Sequence, residues 1–164
     1  MAKMNKVITT FNFKKLAKKI DKRVAMGLTM LAKDLNKDIQ ENLDKGLDVK
    51  NKPFDPLAES TGNKRMFKQG YYKRKGGGSI LNYTGNMRKT KVTPAKPGPV
   101  PIATVEMTGK NKKGQHYGAF HNKGGKNLPK RKWFGMTKNM QPGDAKHTVV
   151  MQKILTMIRR DWKK

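Results

Sequence analysis

Apolar residues recur at steps of four or three from Leu16 onward: Leu16, Ile20, Val24, Leu28, Leu31, Leu35, Ile39 and Leu43. This spacing stacks them on one stripe and predicts a helix from about Phe13 to Lys45. Asn12 or Thr10 can cap its start, and Gly46 supplies a left-handed stop. At 1.5 Å per residue such a helix is a rod of roughly 50 Å, longer than a compact monomer of this size needs. Its other face interleaves Lys18, Lys22, Lys33 and Lys37 with Asp34, Asp38 and Glu41. Ion pairs at i,i+4 on such a face contribute only a few tenths of a kcal/mol each, so the apolar stripe is expected to hold the helix in place.

The pattern breaks over residues 47–80. There Pro53, Pro56, Gly62, Gly70 and Gly76-Gly77-Gly78 predict an extended loop, with a short helical turn expected over 61–67. Loops of that length in compact domains are usually functional or ordered on binding. Two runs with β-branched residues, 87–93 and 102–108, flank the proline-rich stretch Pro94 to Pro101 and predict a β-hairpin over 87–108 with a stiff tip. Gly109 to Gly114 reads as a basic turn, 117–122 as a short helix or strand, and 133–137 as a candidate further strand. Pro142-Gly143-Asp144 announces a last helix over 144–162, with Asp144 as its cap. Val150, Ile154, Met157 or Ile158, and Trp162 form its apolar stripe. The expected fold class is α+β: a small antiparallel β-sheet with a long N-terminal helix and a C-terminal helix, plus a long extended loop, in a single domain over residues 1–164.

The net charge is +27 on 164 residues, shared as +6 over 1–50, +9 over 51–100 and +12 over 101–164. Between Ser60 and Gly143 there are 19 Lys and Arg against one acid, Glu106. Self-repulsion at this charge disfavours a compact state unless an anionic neighbour or salt offsets it. Hydrophobic residues at 35% are few for a globular chain, so the core is expected to be lean or completed by partner subunits. The absence of cysteine excludes disulfides, thiolate metal sites and cysteine redox chemistry. No uncharged stretch approaches the roughly 18 residues of a membrane span, and no apolar signal region opens the chain, so a soluble protein without a secretory signal is expected.

Catalytic constellations mostly fail on spacing. His116 and His121 are five apart with no Glu between them, unlike a helical zinc pair, and His147 stands alone. Asp55 and Glu59, beside prolines, read as a turn and a solvated face rather than an acid–base couple. His121-Asn122-Lys123 shares three letters with a nuclease motif but lacks its metal-binding acids. Gly76-Gly77-Gly78 lacks the Lys-Ser/Thr pair of a phosphate loop. No metal, no cofactor and no enzyme activity are expected.

The basic tract points to contact instead. Lys64, Arg65, Lys68, Lys73, Arg74 and Lys75 fall in the predicted loop, and Lys110, Lys112, Lys113, Lys123, Lys126, Lys130, Arg131 and Lys132 in turns. Tyr71, Tyr72, Tyr117 and Trp133 lie among them. Lys64, Arg65, Lys73, Arg74, Lys75, Lys110, Lys112 and Lys113 are the leading candidates for anion or DNA contact, since phosphate neutralisation needs only such clusters. Composition leaves DNA, RNA and acidic protein open. No zinc-finger spacing, basic zipper or RNA-binding aromatic motif supports sequence-specific reading.

Four blocks then occur in order: Pro53-Phe54-Asp55-Pro56-Leu57 with Thr61 beyond it; Ile80-Leu81-Asn82-Tyr83-Thr84-Gly85-Asn86-Met87-Arg88; Tyr117-Gly118-Ala119-Phe120-His121-Asn122-Lys123-Gly124; and Pro129-Lys130-Arg131-Lys132-Trp133-Phe134-Gly135. Together they resemble the virion morphogenesis, or tail completion, proteins of tailed bacteriophages of the Mu type, over about residues 50–136. Met87 stands where that family tends to have Leu, which keeps an apolar anchor. The insert 73–79 and the high charge are less typical. The resemblance implies a ring, hexameric in kind, in the neck or at the head-proximal end of the tail. Its partners would be copies of itself, a head connector or stopper, tail tube or sheath proteins and packaged DNA. It would assemble in the host cytoplasm, end in the virion and carry out no chemistry.

Within these blocks Gly85 and Gly124 suit turns of positive φ. Tyr117, Phe120, Trp133 and Phe134 suit a core or a subunit interface, and His121 a hydrogen bond inside that cluster. Arg88, Tyr117, Phe120, His121, Arg131, Trp133 and Phe134 are taken as the candidate subunit or partner interface. Arg131 is expected to meet a neighbour's Asp34, Asp38 or Glu41. The alternative class, favoured by charge alone, is a non-enzymatic nucleic-acid-binding protein with a broad basic surface.

Overall fold

The computed structural model describes residues 13–55, 85–125 and 129–162, apart from the side chains of Tyr117, Asp161 and Trp162. The expected caps Thr10 and Asn12, the stretch 56–80 with Lys64, Arg65, Lys68, Lys73, Arg74 and Lys75, and Lys126 lie outside the described residues.

The stripe from Leu16 to Leu43 forms helix α1, Phe13–Lys45. Gly46 ends it at φ 70°, where its N–H reaches the Leu43 carbonyl at 3.2 Å and Leu47 N–H reaches Asn42 O at 2.8 Å. The chain then closes on itself instead of extending. The Asp48 carboxylate accepts from the N–H groups of Lys50 and Lys52, both at 2.8 Å, and Leu47 bridges Pro53. This local competition for backbone donors turns residues 47–53 into a compact loop, correcting the expectation of an extended segment there. Val49 and Phe54 point inward from it and are buried.

Strands β1, Thr90–Thr93, and β2, Thr104–Met107, pair antiparallel with Val92 opposite Val105 and Lys91 opposite Glu106. The period of two places Val92, Val105 and Met107 inward and Lys91 and Glu106 outward. Strand β1 runs along α1 in the opposite direction. The Thr90 hydroxyl donates to Asn36 Oδ1 at 2.6 Å and accepts from Gln40 Nε2 at 3.2 Å, and Ala95 N–H donates to the Thr29 hydroxyl at 3.0 Å. Residues 29, 36 and 40 share a helix face, so three polar positions register the sheet.

A short helix α2, Tyr117–Lys123, and a last helix α3, Ala145–Trp162, complete the mixed helix-and-sheet fold. Residues 133–137 form no strand, for a reason given with the site below. Helix α3 runs antiparallel to α1, with Lys146 beside Asp38 and Ile154 beside Gly27. From α3, Val150 and Ile154 are buried, while Met157 and Ile158 are partly so. None of the described helices is long and apolar enough to cross a membrane.

The closest approach of α1 and α3 depends on Gly27, where an added Cβ would fall 2.5 Å from Ile154 Cγ1. Alanine gains about 0.5–1 kcal/mol over glycine in a helix, but overpacking typically costs about 1–3 kcal/mol. Gly27→Ala is therefore expected to destabilise the domain in urea unfolding by about 1 kcal/mol. In an Ile154→Ala background the same change should become neutral or stabilising, and simple additivity of the two changes would contradict this packing.

Candidate functional site

The four sequence blocks converge on one core. Phe54 from the first, Met87 from the second and Trp133 from the fourth pack with Ile39 and Leu43 of α1, and Leu35, Val105, Met107 and Phe134 close the periphery. The third block supplies the floor under Trp133. Its indole lies against Gly118, where a Cβ would sit 2.3 Å from the ring, and Nε1–H donates to the Gly118 carbonyl at 3.1 Å. Phe134 meets the same indole edge-on, with centroids 5.4 Å apart and planes at 66°.

Asn122 pins the fourth block in place. Its Oδ1 accepts from the N–H groups of Trp133 at 3.0 Å and Phe134 at 3.1 Å, while Nδ2 donates to the Phe134 carbonyl at 2.9 Å. A side chain thus occupies the groups a neighbouring strand would have used, which is why the expected strand at 133–137 does not form. The first block is held as firmly, because Arg131 donates through Nε and Nη2 to the Asp55 carbonyl at 3.2 and 3.0 Å. Gly85 and Gly124 do adopt positive φ, at 74° and 73°.

This arrangement corrects part of the expected interface. Trp133 is 1% exposed and Arg131 3%, so neither can meet a neighbouring subunit from the folded chain. Packing within the chain uses them. Arg88 is half exposed and pairs with Asp44 of its own α1 at 2.9 Å. His121 and Phe134 are partly buried, whereas Phe120 is exposed; the Tyr117 side chain lies outside the described residues.

The expected acidic supply is partly internal as well, although Asp34 is exposed. Asp38 is 2% exposed and ion-paired to Lys146, which also lies 3.6 Å from Glu41. Asn139 Nδ2 donates to both Asp38 oxygens at 3.2 and 3.3 Å, its Oδ1 accepts from Asn51, and Asn51 Oδ1 accepts from Asn42, each of the last two at 3.0 Å. This chain of amides ties α1, the 48–52 turn, the 138–140 turn and α3 together. Asn51 holds φ 61° to make it, a left-handed conformation that Asn tolerates better than most residues. Burial alone would raise the Asp38 carboxyl. Lys146, Thr137 and Asn139 outweigh it and hold the group below its ordinary value, while Asp38 raises Lys146.

The basic turn expected at 109–114 is present and tightly built. Asn111 Oδ1 accepts from the N–H groups of Lys113 and Gln115 at 2.9 Å each, and Asn111 N–H donates to Gln115 O at 2.8 Å. Lys110 bridges His116, closing the turn, and Lys110, Lys112 and Lys113 are exposed. An apolar groove of about 380 Å³ opens elsewhere, between Leu28, Leu31 and Leu35 of α1, Val105 of β2, Met136 and His147. Among the described residues no three His, Cys, Asp or Glu groups could together hold a metal ion. His116, His121 and His147 belong respectively to the basic turn, α2 and the groove wall.

Several of these groups carry no strong local sequence signal. Asn122, Asn42, Asn51 and Asn139 act across the fold and were missed. Burial alternates along Lys130, Arg131, Lys132 and Trp133 in the period of an extended chain, a pattern that the sequence itself shows only at Trp133. Compared with known protein families, curated proteins and solved structures, the chain finds no match.

Proposed function

We propose that this chain is a structural subunit of a tailed bacteriophage, forming a ring in the neck or at the head-proximal end of the tail. The ring, hexameric in kind, terminates the tail and joins it to the head connector or stopper. It acts by shape and surface, without bond-making. The observation that carries this reading is the interlocking of the four blocks. Phe54, Met87, Gly118 and Trp133 meet in one core, and Arg131 and Asn122 tie the blocks through hydrogen bonds. The ordered resemblance in sequence therefore follows the parts of one folding unit.

The surfaces left for assembly are apolar and exposed. Val100 and Ile102 at the hairpin tip are 76% and 65% exposed, and the groove beside Met136 stays open. A tip on one copy and a different face on the next make a head-to-tail contact, the type that closes into rings. In this reading the interface lies on the tip and not on Trp133 or Arg131.

A knockout in the phage that encodes the chain tests the role. Particles from the intact phage are expected to contain the protein, and its loss should leave unjoined heads and tails or tails of aberrant length. Joined particles with normal tails and no trace of the protein would overturn the proposal.

A further inference from the structure

We propose that the basic turn at residues 109–116 is a docking surface for the phosphate backbone of a nucleic acid. The fold gathers charge there from two distant parts of the chain. The N–H groups of Thr108 and Gly109 both donate to the Lys89 carbonyl, at 2.8 and 3.2 Å, which sets exposed Lys89 beside exposed Lys110. Lys112 and Lys113 follow in the turn, and exposed His116 lies opposite Lys110 across the bridge. Acids nearby are already engaged or turned away. Asp44 pairs with Arg88, and Glu106 projects from the outer face of β2 opposite Lys91 and bonds Thr104 at 3.2 Å.

Two features favour a phosphate backbone over an acidic protein. Residues 109–116 read Gly-Lys-Asn-Lys-Lys-Gly-Gln-His and contain no apolar side chain, so the turn lacks the buried anchor on which protein interfaces concentrate their energy. Lysines on a polar turn meet the requirement of backbone neutralisation, which needs positive charge and no particular base. The turn is also set in advance by the bonds of Asn111, so little conformational freedom remains to be lost on contact. The site needs no ring, and a lone subunit would carry it.

The test is binding of a short duplex DNA to the full chain across a salt titration, with light scattering on the same samples to read assembly separately. In the variant Lys110→Gln/Lys112→Gln/Lys113→Gln the log–log salt slope is expected to fall by about three, one per lysine, and affinity at low salt by at least about tenfold. A control removes equal charge from α1 at exposed Lys14, Lys18 and Lys22, and should change both far less. Asn111→Ala should weaken binding with the slope unchanged, and each single lysine variant should lower the slope by about one. Equal losses in the turn and control variants would overturn the site, reducing the effect to overall charge. Turn-dependent binding of poly-glutamate but not of DNA would assign the surface to an acidic protein instead. Circular dichroism melts that match the parent establish that each variant is folded.

Discussion

Trp133→Ala is expected to cost about 3–5 kcal/mol, the largest effect predicted for this domain. The side chain is 1% exposed, it joins all four blocks to α1, and its removal also loses the hydrogen bond that Nε1 donates to the Gly118 carbonyl. Against a total stability of about 5–15 kcal/mol, such a loss leaves the fold marginal. Urea unfolding followed by far-ultraviolet circular dichroism reads it directly. Gly118→Ala gives a second approach, since its Cβ would press within 2.3 Å of the indole and must displace it. That variant should be destabilised and show a red-shifted tryptophan emission. Wild-type unfolding midpoints for both variants would refute a core centred on Trp133.

Lys146→Ala is expected to cost about 2–3 kcal/mol at neutral pH. Breaking a buried pair by removing one partner typically costs about 3–5 kcal/mol, and the estimate is reduced because Lys146 is half exposed and its charge partly solvated. The variant leaves the Asp38 carboxylate buried without its cation. The pH dependence separates this cause from lost packing. In the parent, Asp38 is held below its ordinary 3.8, so its contribution is present above about pH 4 and is lost as pH falls through the lowered value. In the variant Lys146 no longer opposes burial, so the carboxyl rises from its parental value and protonates before the parent's as pH falls, which relieves the penalty. The stability gap between the two proteins should therefore narrow as pH falls from 7 towards 3. On the alkaline side, Lys146 lies above its ordinary 10.5 in the parent, whose advantage persists at least to that pH and fades as pH rises through the raised value. A gap independent of pH would contradict an electrostatic clasp.

What the sequence revealed follows from how local each signal is. The C-terminal end of α1 was readable because a stripe of period three to four stops at Gly46, within one turn of the feature it marks. The hairpin was readable from β-branched residues on either side of a proline-rich tip, although residues 86–88 form a 3-10 turn before the first strand begins. Asp38 was misread for a physical reason. Its place among Lys33, Asp34, Lys37 and Glu41 gave it the pattern of a solvated charged face, while its actual cation, Lys146, lies 108 residues along the chain.

Part of the candidate interface failed in a similar way. Arg131 sits in a run of basic residues that reads as surface, yet its guanidinium folds inward onto the carbonyl of Asp55, 76 residues away. Asparagines carried much of what was missed. Asn122 replaces a strand partner, and Asn42, Asn51 and Asn139 link α1 to two turns, all through contacts with no periodicity to betray them. Gly27 did leave a local trace, since a glycine in mid-helix costs about 1 kcal/mol and needs a packing reason, here Ile154. Residues from the four blocks pack around one indole, a contact set that no single block shows by itself.

Mass measurement of the full chain in solution, with electron microscopy of the same fraction, is the decisive test of the proposed self-assembly. Closed rings of uniform copy number are expected, lost to monomers in a Val100→Asp/Ile102→Asp variant that keeps the parent's melting temperature. A protein that stays monomeric across concentration and salt, or rings indifferent to those two substitutions, would contradict it.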